Sequence, residues 1–143
     1  MTALAAAKSV GAPFSNAEEI VRVRYNFADD GGATGAYTIA TAVGEILVTD
    51  MWAVVKTACV GANNTLSIGD TGSATAIVNA LAIATYGASG YVVKKENTFT
   101  ASGTADTNAL PRRLSDGQVL SMSLGGAALT AGVIEFCFKV AKA

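Results

Sequence analysis

The sequence predicts an all-β fold, a single-domain antiparallel β-sandwich, on three observations. The chain has 143 residues, a length that fits one domain with a hydrophobic core of its own. Its large apolar residues recur at every second position, which is the period of a strand with one buried face. The apolar runs are separated by Gly, Asp and Asn clusters such as Asp29-Asp30-Gly31-Gly32 and Gly61-Ala62-Asn63-Asn64, which favour tight turns between short strands.

The first strand is predicted from Ile20 to Phe27, because apolar and polar residues alternate there. The last one repeats the pattern from Ile134 to Val140. The faces predicted to be buried are those of Val21, Val23, Tyr25 and Phe27, and of Ile134, Phe136, Phe138 and Val140. The strands predicted between them are Ala36 to Thr41, Glu45 to Val60, Thr65 to Ile68, Tyr91 to Lys95 and Gln118 to Leu124.

Three segments lack the strand period. Residues 1–17 are rich in small residues and contain Pro13, so we expect an extended or flexible arm before the first strand, with the sandwich domain spanning residues 18–143. The polar stretch Asn97 to Ser115 is expected to be a surface loop. Ala74 to Thr85 is the one stretch that could form a helix, although its β-branched residues argue against it.

Composition excludes several classes of function. Ten basic and eleven acidic residues give a net charge of −1, without the clustered Lys and Arg that nucleic-acid binding needs. The chain contains no histidine, which removes Ser-His-Asp and Cys-His catalysis and zinc sites built on His. Catalysis by carboxylates, Lys, Tyr or Cys stays open on composition alone. Because no catalytic constellation of these residues stands out, we predict no enzyme activity, no cofactor and no metal. The apolar runs are too short to span a bilayer, and no secretory signal is evident at Met1 to Val10, so we expect a soluble protein made in the cytoplasm.

The two cysteines, Cys59 and Cys137, fall in apolar, strand-like runs. The simplest interpretation is two buried thiols that pack as small apolar groups. The alternative is a disulfide between the two sheets, which secretion would favour.

Asp70-Thr71-Gly72-Ser73 matches the Asp-Thr-Gly signature of aspartic proteases, in which paired aspartates activate water. In those enzymes the aspartate directly follows apolar strand residues, whereas Gly69 precedes it here. The segment Ser123 to Gly126 is also a poor match to the second signature of that class. A Gly-Asp-Thr-Gly turn after a strand is therefore the favoured interpretation.

Two further kinds of site fit the sequence less well. Asp29, Asp30, Glu45 and Asp50 could bind calcium if the fold brought them together, but no loop with regularly spaced ligands contains them. Aromatic side chains could form a sugar-binding platform, but single aromatics in strands are usually core residues, and we expect this for Trp52 in particular. The aromatic set is Tyr25, Tyr37, Trp52, Tyr86 and Tyr91.

Basic residues form the candidate partner-contact set. Arg112-Arg113, together with Lys94-Lys95, could form a small basic patch. Arg22 and Arg24 are expected on the polar face of the first predicted strand. The functional interpretation of Arg22, Arg24, Arg112 and Arg113 is contact with an acidic surface on a partner protein, and the simpler one is solvated charge.

The order of the pieces from Tyr37 to Lys139 resembles that of the small jelly-roll virion proteins of tailed bacteriophages. The matching pieces are Gly44 to Asp50, Val54 to Ala58, Leu66 to Asp70 and Gly125 to Gly132. They correspond to an apolar strand after a Gly, a Thr-containing strand, a Leu-x-Ile-Gly-Asp turn, and a Gly-Gly turn leading into the last strand.

The resemblance implies a jelly-roll-like sandwich that decorates or cements the outer surface of an icosahedral capsid through contacts with the major capsid protein. Such proteins are often trimers at three-fold positions, so the resemblance implies a homotrimer, or a monomer that becomes trimeric on the capsid lattice, located on the virion. Placement in a tail, collar or fibre, or a receptor- or carbohydrate-binding role, is the alternative that the same fold allows. The arm is expected to become ordered against a neighbouring subunit.

Overall fold

The structure is a computed structural model that describes residues 1–14, 17–94 and 110–143. Its strands pack as two sheets face to face, so the predicted all-β sandwich is confirmed. Two one-turn helices, α1 (Phe27–Asp30) and α2 (Ile83–Tyr86), connect strands. The strands are β1 (Thr2–Gly11), β2 (Glu19–Asn26), β3 (Gly35–Val43), β4 (Ile46–Val60), β5 (Thr65–Asp70), β6 (Val78–Ala82), β7 (Val92–Lys94), β8 (Arg112–Leu114), β9 (Val119–Gly125) and β10 (Ala131–Lys142).

Sheet A has the strand order β1-β3-β9-β5-β6, and sheet B has the order β2-β10-β4-β7, with β8 also pairing with β4. The pairs are antiparallel except for β1 and β3, which run parallel. Non-sequential neighbours, such as β2 beside β10, mean that the chain crosses repeatedly between the sheets. Within the described residues no helix is long and apolar enough to cross a bilayer.

The core lies between the sheets, where alternating residues from each strand meet. The inward residues of β10, from Ile134 to Val140, are fully buried, as the alternation predicted. On β2, Val23 and Tyr25 are buried and Val21 is partly buried; Phe27, which begins α1, is also only partly buried against the core. Burying side chains of this size stabilises the fold by about 1.5–3 kcal/mol each.

The arm prediction needs a correction. Residues 1–17 do not precede the first strand, because they contain it: β1 lies at the edge of sheet A beside β3. Leu4 and Val10 are buried in the core, while the residues between them are mostly exposed. The alanines Ala5 to Ala7 hide the strand period, because a run of identical small residues shows no alternation between apolar and polar side chains. The division into an arm and a sandwich domain stays a prediction.

Two other sequence predictions change, and a third falls outside the described residues. The segment Ala74 to Thr85 contains a turn and strand β6, with only the short α2 at its end. Arg112 and Arg113 belong to β8 and not to a loop, since they pair with β4. Residues 95–109, which include Lys95 and most of the predicted loop, lie outside the described residues.

The prediction that Trp52 is a core residue is wrong. Trp52 is half-buried on the outer face of sheet B, while its neighbours Met51 and Ala53 are buried. The register of β4 against β10 shifts between Asp50 and Val48, which leaves Thr49 as an extra residue. A bulge of this kind reverses which face alternate residues occupy.

Candidate partner-contact surfaces

Arg22 and Arg24 lie on the outer face of sheet B and share one carboxylate. Arg22 Nη1 is 3.2 Å from Glu135 Oε1, and Arg24 Nη2 is 3.0 Å from Glu135 Oε2. The arrangement follows from the register, because Arg24 on β2 is directly opposite Glu135 on β10. The hydrogen bonds from Arg24 and Arg22 hold the pKa of Glu135 below its usual value.

This pair of guanidinium groups remains largely accessible. The side chains of Arg22 and Arg24 are 61% and 54% exposed, whereas that of Glu135 is only 16% exposed. One carboxylate therefore faces two cations, and donor groups remain to bind a further acceptor.

A wider basic face surrounds them on the outside of sheet B. Lys139 on β10 is opposite Asp50 on β4, and exposed Lys56 is close enough to Glu135 to lower its pKa further. Including these groups, the basic face is Arg22, Arg24, Lys56 and Lys139 with Glu135 and Asp50, a net charge of +2 in a chain of net charge −1. A positive face on an otherwise acidic molecule favours an acidic partner surface.

The outer face also contains an apolar strip beside these charges. Two rows of opposed residues run across the sheet from the arginines. One row continues from Arg22 through Cys137 to Trp52. The other continues from Arg24 through Glu135 to Val54 and Val92. Val92 is 52% exposed. An apolar strip beside charged groups is typical of a protein contact surface.

Arg112 and Arg113 point to different partners within the chain. Arg112 Nε forms an ion pair with Asp70, whose side chain is only 4% exposed. This pair joins β8 of sheet B to the end of β5 in sheet A, so it connects the two layers. Arg113 pairs with Glu45, and both side chains are substantially exposed, at 63% and 46%. Exposed pairs of this type contribute little to stability.

Asp70 is held in a turn, which confirms the favoured interpretation of the Asp-Thr-Gly motif. Its Oδ1 accepts hydrogen bonds from the backbone N–H groups of Gly72 and Ser73, at 2.9 and 3.0 Å. Gly69 is required beside it, because a Cβ there would lie 2.1 Å from the carbonyl oxygen of Ser73. Both carboxylate oxygens of Asp70 are thus used, one by the turn and one by Arg112.

The candidate calcium ligands are separated in the fold. Asp30 accepts from the backbone of Ala5 and Asn26, which ties α1 to β1 and β2. Glu45 pairs with Arg113 instead. Across residues 1–14, 17–94 and 110–143, no three metal-ligating side chains gather in one place.

The aromatic residues do not form an open platform. Tyr25, Tyr37 and Tyr86 are buried, and burial raises the pKa of each hydroxyl. The rings of Tyr25 and Tyr37 meet edge to face, with centroids 6.2 Å apart. Their hydroxyls donate to the carbonyl oxygens of Gly31 and Ala33, so they hold the loop between α1 and β3.

Cys59 and Cys137 are both buried and free, so the prediction of two separate thiols is confirmed. Burial raises the pKa of Cys59 to about 11. Cys137 points outward from sheet B and is covered by Arg22, whose Nη1 lies 3.6 Å from the sulfur.

Glu135, the carboxylate that pairs with both Arg22 and Arg24, could not be recognised from the sequence. Glu135 is 111 residues from Arg24 in the chain, and only the order of strands in sheet B brings them together. The alternation in the last strand placed Glu135 on a polar face, but nothing in the sequence identifies β10 as the neighbour of β2.

Comparison with known proteins shows the fold. No protein-family model matches the sequence, and the search of curated proteins gives no match. A chain in the capsid asymmetric unit of cyanophage Pam1 is similar over 94% of this chain and 91% of its own, at 18% identity and a TM-score of 0.57. A chain in the capsid of Ralstonia phage GP4 covers 92% of this chain and 90% of its own, at 14% identity and a TM-score of 0.56.

A chain in the acid-stable capsid of Helicobacter pylori bacteriophage KHP30 is similar over 86% of both chains, at 10% identity and a TM-score of 0.53. At these identities the three matches show a shared fold. The predicted resemblance to small virion proteins of bacteriophages is therefore confirmed at the level of the fold.

Proposed function

We propose that this chain is a non-enzymatic structural protein of a bacteriophage virion, which decorates and stabilises the outer surface of the icosahedral capsid. The observation that supports this most directly is that three solved chains with the same fold all come from phage capsid structures. Each match covers at least 86% of both chains, so the whole sandwich is shared and not only one motif.

The basic face is the surface that suits contact with the major capsid protein. Among the described residues, Glu135 is the carboxylate that pairs with its exposed guanidinium groups, Arg22 and Arg24. Arg113 presents a second exposed cation at another place, beside Glu45. Arg112 is less available, since it neutralises the buried Asp70. The proposed contacts are therefore mainly Arg22, Arg24 and Arg113, facing carboxylates of the capsid protein.

A homotrimer at three-fold positions on the capsid is part of this proposal. Decoration proteins that join several capsid subunits gain affinity because each copy contributes a weak contact to one assembly. Charged contacts of modest individual strength, such as those of exposed arginines, fit this mode of binding.

The proposal is tested by adding purified protein to capsids that lack it and imaging the particles by cryo-electron microscopy. We expect density of this size on the outer surface at three-fold or quasi-three-fold positions. Density confined to the tail, collar or fibres, or no bound protein, would overturn the decoration role. A tail location would favour the receptor-binding alternative.

Co-sedimentation with the same capsids tests the basic face. The variant Arg24→Glu reverses one charge on this face and is expected to bind more weakly, with a smaller dependence on salt. Lys142→Glu, at the exposed end of β10 and outside the basic face, is the matched control and is expected to bind as the parent does. Equal losses for both variants would contradict the assignment of this face.

A further inference from the structure

Strand β2 leaves one edge of sheet B open. In the described part of the chain β2 pairs only with β10, on its other side. A groove of about 360 Å³ runs along the open edge, with Glu19 to Arg22 on one wall and Lys8 to Gly11 of β1 on the other. Unpaired strand edges are templates for another strand, because their N–H and C=O groups lack strand partners.

The open edge has opposite charges at its two ends. By strand alternation, the residues on the outer side are Glu18, Ile20, Arg22 and Arg24, all exposed. Charge therefore changes from acidic to basic along the chain, with Ile20 between, and Ile20 is 50% exposed despite being apolar. Such an order is self-complementary when two identical strands run antiparallel, since each acidic end meets a basic end.

We propose that β2 pairs antiparallel with β2 of a second copy of this chain, around a two-fold axis at Ile20. In this register Ile20 lies opposite Ile20 of the second copy. Glu18 lies opposite Arg22 of the second copy, and the symmetry repeats this ion pair on the other side of the axis. The two copies of sheet B then form one continuous sheet, and the exposed isoleucines cover each other.

Charge disfavours two of the symmetric registers on the C-terminal side, and the one between them and Ile20, with its axis at Val21, would pair Glu18 with Arg24 and is separated by the charge-exchange test below. An axis at Arg22 would place Arg22 opposite itself, and an axis at Val23 would place Arg22 opposite Arg24. Like charges directly opposite are unfavourable in a sheet. The wall formed by Glu19 to Arg22 is where the proposed axis falls, so the groove and the charges indicate the same place.

This contact goes beyond the proposed function, because two free copies can form it without a capsid. The β2–β2 contact is also compatible with a trimer, since a subunit of one trimer can pair with a subunit of a neighbouring trimer.

Disulfide trapping tests the pairing directly. Opposed Cα atoms in an antiparallel pair are about 4.5–5.5 Å apart, within the range that a disulfide bridges. Ile20→Cys is therefore expected to form a covalent dimer roughly tenfold faster than Val92→Cys under mild oxidation. Val92 is the matched control because it is equally exposed, at 52% against 50%, but lies on the far strand β7. The native thiols are buried and leave a low background. Equal rates for the two variants would overturn the proposal.

Charge exchange tests the register. The association is measured by sedimentation velocity over a concentration series. We expect Glu18→Arg alone, or Arg22→Glu alone, to weaken it roughly tenfold, because either change turns both symmetry-related Glu18–Arg22 attractions into repulsions. The double variant Glu18→Arg, Arg22→Glu is expected to recover association. Circular dichroism checks that each variant is folded, and Asp29→Arg, an exposed acidic position on α1, is the control. Failure of the double variant to recover, or recovery only when Glu18→Arg is combined with Arg24→Glu, would overturn this register.

Discussion

Replacing Tyr86 by phenylalanine tests whether one buried hydrogen-bond chain joins three loops at one end of the sandwich. Tyr86 is fully buried at the end of α2, and its hydroxyl donates to Asn64 Oδ1. Asn64 is 1% exposed, and its Nδ2 donates to the carbonyl oxygen of Ala127 at 2.6 Å. The backbone carbonyl of Asn64 also accepts from Ile83 at 2.9 Å. The side chain of Asn64 thus connects α2 to the turn after β9.

Tyr86→Phe keeps the ring and removes only the hydroxyl. The buried oxygen of Asn64 then has no donor, and a buried acceptor left unpaired costs about 1–3 kcal/mol. Tyr37→Phe is the matched control. Its hydroxyl donates to Ala33 at 2.7 Å in a partly buried place, where water can replace it, so we expect a loss of about 1 kcal/mol or less.

The assay is urea unfolding followed by the fluorescence of Trp52, the only tryptophan. We expect Tyr86→Phe to lower the midpoint more than Tyr37→Phe, with the dependence of the unfolding free energy on urea unchanged. A double-mutant cycle with Asn64→Ala should give a coupling energy of about 1 kcal/mol or more. A loss for Tyr86→Phe no larger than that for the control, or a coupling near zero, would refute the reasoning.

Three further predictions concern single residues. Because the pKa of Glu135 is lowered, its contribution to stability is present above the unfolded pKa of about 4.3 and is lost as pH falls through the lower folded value. Glu135→Gln should therefore lose less stability than the parent on acidification. Curves of unfolding free energy against pH that run parallel for the two proteins would contradict this. Gly126→Ala should cost about 2–4 kcal/mol in thermal unfolding, since φ is +75° and its Cβ would meet a carbonyl oxygen at 2.1 Å. Gly117→Ala, with φ of +81° and open space, should cost only about 1–2 kcal/mol, and equal losses would argue against the clash. Cys59, with its pKa raised to about 11, should react with a thiol reagent at pH 8 only after unfolding, and rapid labelling of the folded protein would contradict its burial.

Strands could be predicted from the sequence where large apolar residues alternate with charged ones. β2 and β10 meet this condition, because a misplaced Arg24 or Glu135 would put a charge in the core. β1 does not, because alanine is compatible with either face and only Leu4 and Val10 are buried. Trp52 was misplaced for another reason: the extra residue Thr49 reverses the faces of β4, and a continuous apolar run does not reveal a bulge.

The contact surfaces were less predictable than the strands. The polar face containing Arg22 and Arg24 followed from alternation, but their shared carboxylate depended on which strands are neighbours. Arg112 could not be separated from Arg113 by sequence, although one neutralises buried Asp70 and the other lies beside exposed Glu45. Partner choice within a sheet is a property of long-range topology, which local composition does not encode.

The position of β10 between β2 and β4 has a consequence for synthesis of the chain. Both neighbours have been synthesised once residue 60 is added, but the strand that joins them spans Ala131–Lys142. Until then two apolar strand edges have no partner, and closing such distant pairs makes folding slow. A chain truncated before residue 131 would therefore be prone to aggregation and to degradation by cellular proteases, and would not fold as a smaller sandwich.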